Sequence, residues 1–325
     1  MSSSFTHLVE VHGEPVFWLD TAVAYAKRAQ QIDSTQGHAA LSYALMNQGH
    51  VRAAREEALL ELKYVPSNVG SLSMLSLIDR ELGDIAASLE WARKGYKLDP
   101  KSTYLANHLA VCYTVLGDFS EAARWNAKSK ELKPDFVWVV ANQNWQLRLQ
   151  GRVREALQQA LAWREREPRL ILAQFDVLDG AAAAGEWKIA LDAAERLLRE
   201  APHQAYGNYR FTAAYVFART GQRPRADSLL RVLAQENQTN RARSDRLAYS
   251  LDAAALLALQ GQNDEAIDAF ERHQQSGGYV SPAYLLTDPW LESLRKHPGF
   301  DRVLQRARER QAEFRRIVGS GTMQQ

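Results

Sequence analysis

The sequence predicts an all-α protein, a right-handed solenoid of about seven helix pairs with capping helices at its ends. Three observations carry that expectation. Glycines at Gly49, Gly83, Gly117, Gly151 and Gly185 recur every 34 residues. Prolines at Pro66, Pro100, Pro134, Pro168 and Pro202 share the period, each 17 residues after its glycine. Between these marks the apolar residues follow a helical period. In the unit 103–136, Leu105, Leu109, Cys112, Tyr113 and Leu116 share one helical face. A glycine suits the left-handed residue that ends a helix. A proline cannot continue the next one and disfavours α geometry before it. A helix hairpin this short cannot bury its apolar face alone, so it stacks on its neighbours.

The elements follow in order. Residues 1–34 form an N-terminal segment. Residues 8–11, Leu-Val-Glu-Val, read as a short strand or as irregular chain, and residues 18–31 read as a helix with Ala22, Ala26 and Ala29 on one side. That helix looks like the second half of a unit, which suggests a divergent cap or a truncated chain. Residues 35–204 hold five regular units. Five residues after each glycine stands a small residue, Ala54, Ser88, Ala122, Ala156 and Ala190, which lets the paired helices approach closely. Residues 205–280 hold two looser units, marked by Gly221 with Ala226 and Gly261 with Ala266, where the spacing widens to 36 and then 40. Gly277 and Gly278 break the last second helix. Residues 281–318 read as capping helices. Asp288 and Pro289 fit an N-cap followed by the first helical position. From about Pro298, the residues Phe300, Val303, Leu304, Ala307, Gln311, Phe314 and Val318 form an amphipathic stripe. Residues 319–325 read as a flexible tail.

The strings Gly-Asp-Phe-Ser-Glu-Ala at 117–122, Gly-Arg-Val-Arg-Glu-Ala at 151–156 and Gly-Gln-Asn-Asp-Glu-Ala at 261–266, with Leu-Asp-Pro at 98–100, resemble the tetratricopeptide repeat. The chain departs from that pattern early in each first helix. The large aromatic expected there is replaced by His38, Leu72, Ala106, Val140 and Gln174. The string from Asp288 to Phe300 resembles the segment that closes tetratricopeptide regions of bacterial signalling proteins, where such regions follow winged-helix, cyclase or kinase domains. None of those domains is present in this sequence.

The resemblance implies a function and a site. It implies a non-enzymatic scaffold or sensor that binds a protein or peptide in a concave groove lined by the first helices. The alternative is the regulatory region of a larger signalling enzyme or transcription regulator. The inward positions hold Tyr43, Tyr104, Asn107, Trp138, Trp145, Arg148, Phe175, Asp179, Phe211 and Tyr215. Relatives that hold a C-terminal carboxylate use Lys and Asn at the fifth and ninth positions. Here those positions are Ala39 and Tyr43, then Ser73 and Leu77, so that clamp is rejected. The groove is expected to take apolar anchors on its rings, with Asn107 and Arg148 orienting the guest.

Composition bounds the rest. With 46% hydrophobic and 24% charged residues the chain is neither disordered nor fibrous. Its net charge of +2 gives no field that favours nucleic acid. The longest apolar run, residues 253–259, is far short of the ~20 residues a membrane span needs. The start has no basic, then apolar, signal sequence, so a cytoplasmic location is expected. The only cysteine, Cys112, lies on an apolar stripe and reads as a buried thiol. No His pair has metal-ligand spacing and no phosphate loop is present, so neither a metal nor a cofactor is expected. Ser293 and Lys296 fit Ser-x-x-Lys only by spacing. Glu56, Glu57, Glu90 and Glu121 read as a solvated outer face, and Trp91 and Trp125 as packing between repeats. Residues 207–246 carry eight arginines, no lysine and three acids. The stretch 237–244 reads as a polar loop between repeats, with Arg241 and Arg243 as the rival docking patch. Pairing of copies through the solenoid ends is the remaining expected contact.

Overall fold

The computed structural model describes residues 17–201 and 209–320. Among these residues all regular elements are helices. The expectation for residues 1–16 lies outside the described residues. Helix α1, Phe17–Ile32, precedes seven pairs. They are α2 (His38–Gln48) with α3 (Val51–Tyr64), α4 (Val69–Glu81) with α5 (Ile85–Leu98), and α6 (Thr103–Val115) with α7 (Phe119–Leu132). Then come α8 (Val137–Leu149) with α9 (Val153–Arg166), and α10 (Ile171–Ala184) with α11 (Trp187–Glu200). The last two are α12 (Tyr209–Arg219) with α13 (Arg223–Arg243), and α14 (Ala248–Leu259) with α15 (Asn263–Gln275). The chain ends in α16 (Pro282–Thr287), two short 3-10 turns at Pro289–Leu291 and Leu294–Lys296, and the long α17 (Phe300–Ser320).

Local chemistry explains the boundaries. Asn68, Asp84, Ser102 and Asp118 each precede a helix and accept a hydrogen bond from its first turn. The small residues after the turns, from Ala54 and Ser88 to Ala226 and Ala266, are fully buried where the paired helices cross. Ser88 also donates to the Ser76 carbonyl at 2.6 Å, so its hydroxyl is satisfied there. Cys112 is buried beside Ser88, and burial pushes its thiol up. Trp91 donates to the buried Asp79 carboxylate at 2.8 Å, which Arg55 also meets. Trp125 packs edge-on against Tyr96. Glu56 and Glu90 are exposed, whereas Glu57 turns inward to accept from Gln30 and to bind His38 at 2.7 Å. Burial alone would lower His38, yet the Glu57 carboxylate holds it above its ordinary value.

Two sequence expectations are corrected. The stretch 237–244 is not a loop: α13 runs unbroken to Arg243, because no glycine or proline stands between Arg225 and Arg243 to stop it. Helix α17 also continues through Gly319 and Ser320, into the expected tail.

The solenoid closes on itself. After α13, residues 244–246 reach the α2–α3 turn. Ser244 Oγ donates to the Gly49 carbonyl at 2.7 Å. The Asp245 carboxylate accepts from the backbone N–H of Val51 at 2.6 Å and of Arg52 at 3.0 Å. It thereby caps α3, whose own N-cap residue, His50, supplies no side-chain bond. Arg246 bonds the Met46 carbonyl and faces Glu81 at 3.8 Å. Further on, Gly277 and Tyr279 lie against Gly83, and Arg315 of α17 donates to the Leu116 carbonyl at 2.9 Å. The turns of the first three pairs therefore form the seat on which the last third of the chain rests.

Candidate functional site

The first helices of each pair are flanked on both sides, so their polar residues must find partners inside the array. They form a ladder. Asn142 donates to Asn107 at 2.6 Å, and Gln146 donates to Thr114 at 2.8 Å. Asn144 donates to Asp176 at 2.8 Å. The Arg148 guanidinium lies between Asp176 and Asp179, 3.4 Å from each. Thr212 donates to the other oxygen of Asp179 at 2.8 Å. Helices α6, α8, α10 and α12 are thus joined in one row. Burial pushes the Asp176 carboxyl up to about 6, although Arg148 and Asn144 oppose the shift.

The inner face is not open along this row. Residues 277–297 leave α15, cross the face and return as a strap. The Tyr279 hydroxyl donates to the Val115 carbonyl at 3.2 Å, and its ring meets Phe314 edge-on. Ser281 caps helix α16, its hydroxyl accepting from the Tyr284 N–H, and the helix lies on α8. Asp288 caps the next turn by accepting from the Trp290 N–H at 3.0 Å. Trp290 stacks on Phe211 with ring centres 5.4 Å apart. Glu292 pairs with Arg219 at 2.8 Å and meets the Tyr215 hydroxyl. Arg295 ties the strap to itself by donating to the carbonyls of Leu285 and Asp288. Burial pushes the Asp288 carboxyl up to about 7. Between strap and wall remains a cavity of about 180 Å³. Trp145, Arg148, Asp179 and Thr212 line it from the wall, and Tyr284, Asp288 and Trp290 from the strap.

The residues read from the sequence as groove-lining separate into groups. Trp145, Arg148 and Asp179 converge on the cavity. Phe211 and Tyr215 are covered by Trp290 and Glu292. Phe175 is buried in the core, stacked on Tyr209 at 5.2 Å. Asn107 is half-buried and held by Asn142. Tyr43 and Trp138 are half-buried on α2 and α8. Tyr104 is 61% exposed at the start of α6, edge-on to Phe136. Thr212, Asp176, Tyr284, Asp288 and Trp290 were not singled out for the site by sequence. The Asp-Pro-Trp string did mark a capped turn, and the cap is present, but nothing local told that the turn faces inward.

Other chemistry resolves into structure. Among the described residues no group of three or more His, Cys, Asp or Glu could hold a metal ion. Ser293 donates to Asn263, and Lys296 is exposed. Burial lowers His108 to about 3 and His273 to about 4. Among the described residues no helix is long and apolar enough to cross a membrane.

Several solved structures are similar to this one. Human IFIT1, in a dimer with m7Gppp-AAAA, matches 99% of this chain and 81% of its own, at 13% identity and a TM-score of 0.55. Yeast Tom70 matches 92% of this chain and 60% of its own, at 14% identity and a TM-score of 0.54. A tetratricopeptide repeat protein from Parabacteroides merdae matches 82% of this chain and 96% of its own, at 14% identity and a TM-score of 0.48. No family model and no curated protein sequence matches the chain. At these identities the likeness is one of fold.

Proposed function

We propose that this tetratricopeptide-type solenoid is a protein-interaction module without catalytic activity, which takes a peptide segment on its inner face in place of its own strap. The fold is shown by the seven helix pairs and by the solved structures that share them. It supports protein or peptide binding in general terms. One observation carries the finer reading: the inner face already holds a peptide. A capped turn presents Trp290 to Phe211 and Glu292 to Arg219, the pairing of ring anchor and charge that a groove uses for a guest. A guest with an aromatic anchor followed by an acid would use the same contacts, then extend along α8, α6 and α2 past Trp145, Trp138, Asn107, Tyr104 and Tyr43.

A labelled synthetic peptide of residues 281–296 tests this. Binding to the Trp290→Ala chain, whose own strap has lost its anchor, is expected to be about ten-fold tighter than to the wild type, because the internal competitor is weakened. Arg219→Glu in the same chain removes that gain, and circular dichroism checks folding. Trp138→Ala and Trp145→Ala test the extension toward α6. Equal peptide affinity for wild type and Trp290→Ala overturns the proposal. So does binding abolished by charge reversal at Arg241 and Arg243 but untouched by Arg219→Glu, which would make the end of α13 the docking surface.

A further inference from the structure

The cavity under the strap has a chemistry that the peptide reading does not use. It is bounded on one side by Trp145 and on the other by Tyr284 and Trp290, with carboxylates from both the wall (Asp179) and the strap (Asp288). Its volume of about 180 Å³ equals the share of about six liquid waters, room for a molecule of about that many heavy atoms.

The charges around it balance only while one carboxyl stays protonated. Three carboxylates, Asp176, Asp179 and Asp288, meet two guanidiniums, Arg148 and Arg295. Arg148 is already shared between Asp176 and Asp179. Arg295 spends its hydrogen bonds on the Leu285 and Asp288 carbonyls. Asp288 uses one oxygen to accept from the Trp290 N–H, and its other oxygen has no hydrogen-bond partner among the described residues. The Tyr284 hydroxyl likewise has none. Burial, helped by the nearby Asp179 charge and only partly opposed by the Trp290 N–H, Arg148 and Arg295, pushes the Asp288 carboxyl up to about 7.

We propose that this cavity is a binding site for a small organic monocation, an alkylammonium whose charged head sits between Asp288 and Asp179 and whose alkyl part lies against Trp145, Tyr284 and Trp290. One added positive charge lets Asp288 lose its proton with the site still neutral, three carboxylates then facing three cations. The aromatic faces favour an organic cation through their negative quadrupoles. An anion is disfavoured, because the one guanidinium lining the cavity is saturated by two carboxylates. A metal ion is disfavoured too, because no set of three ligating side chains converges there. The ligand has a way in, since the Asp179 side chain is 36% exposed. A bound cation would bridge wall and strap, so it would hold the strap closed against an incoming peptide.

The probe is n-butylammonium chloride, followed by the intrinsic fluorescence of the tryptophans, with n-butanol, sodium butyrate and sodium chloride at equal concentration as controls. A ligand of this size is expected to bind with Kd on the order of 1 mM. The expected result is a saturable change and a raised melting midpoint with butylammonium alone. Asp288→Asn keeps the cap on Trp290 and weakens binding about ten-fold, since it removes the charge and little else. Asp179→Asn, which can still accept from Thr212, does the same. Asp268→Asn, on the exposed face of α15, leaves binding unchanged. The proposal is overturned if butanol binds as well as butylammonium, if both inner Asn variants bind like wild type, or if no saturable response appears up to about 50 mM, far above the expected Kd.

Discussion

Gly83→Ala, set beside Gly151→Ala, tests the closure of the solenoid. Both glycines end a first helix in the left-handed region, at φ 80° and 75°. An alanine in that conformation costs about 1–2 kcal/mol at either site. The surroundings differ. A Cβ on Gly151 meets nothing within 4 Å. A Cβ on Gly83 runs into the Gly277 carbonyl oxygen and comes within 3.0 Å of the Tyr279 nitrogen. Both are backbone atoms, so neither can swing aside as a side chain would. The strap must lift at its first anchor. What is lost there is the Tyr279 hydrogen bond to Val115 and its edge-on contact with Phe314. A net hydrogen bond and an aromatic pair together amount to about 1–3 kcal/mol. Gly83→Ala is therefore expected to destabilise by about 2–5 kcal/mol, against about 1–2 for Gly151→Ala. Equilibrium urea unfolding followed by circular dichroism measures both, and acrylamide quenching of tryptophan reports whether Trp290 has become accessible. If the two variants lose the same stability within about 0.5 kcal/mol, and quenching is unchanged, the strap is not seated on the Gly83 turn and the reasoning fails.

Three further outcomes are expected. Asp245→Ala removes the side-chain cap on α3 and should cost about 1–2 kcal/mol, with faster amide exchange at Val51 and Arg52; unchanged exchange there would remove the latch. Ala122→Leu and Ala156→Leu overfill helix crossings whose alanines are fully buried, and each should destabilise by about 1–3 kcal/mol in thermal melts; a neutral pair would mean a different register. The Asp288 carboxyl holds its proton to about 7 when folded, against an ordinary 3.8, so between those values the native state binds more protons and its stability falls as pH rises. The wild type should lose up to about 1.4 kcal/mol per pH unit relative to Asp288→Asn across that window. His108 and His273, held neutral to about 3 and 4, pull the other way below about 6.5 but cancel in the comparison. Parallel pH profiles for the two chains would refute the assignment.

Much of the local structure was legible because it is local. The glycine and proline lattice located the helix ends, and the small residues located the crossings. The stripe that includes Phe300, Val303 and Phe314 announced α17. Where reading failed, the residues were polar and gave no period. The stretch 237–243 looks like a loop by composition, yet nothing in it stops a helix. Of the groove residues, Trp145, Arg148 and Asp179 do meet, since they sit on adjacent first helices in matching turns. Phe175, one turn before Asp179 on the same helix, packs into the core instead, where Tyr209 offers it a stacking partner.

The sequence by itself determined an array of about seven helix pairs and the side of each helix that must be covered. Those properties follow from periodicity, and periodicity is read within one unit. The tertiary structure alone decided that the array turns far enough for Asp245 to cap a helix 194 residues away, and that residues 277–297 fill the inner face. The turn accumulates from small rotations at each interface between pairs, each set by how particular side chains interlock. Such rotations leave no spacing in the sequence, and only their sum brings residues 244–246 onto the α2–α3 turn.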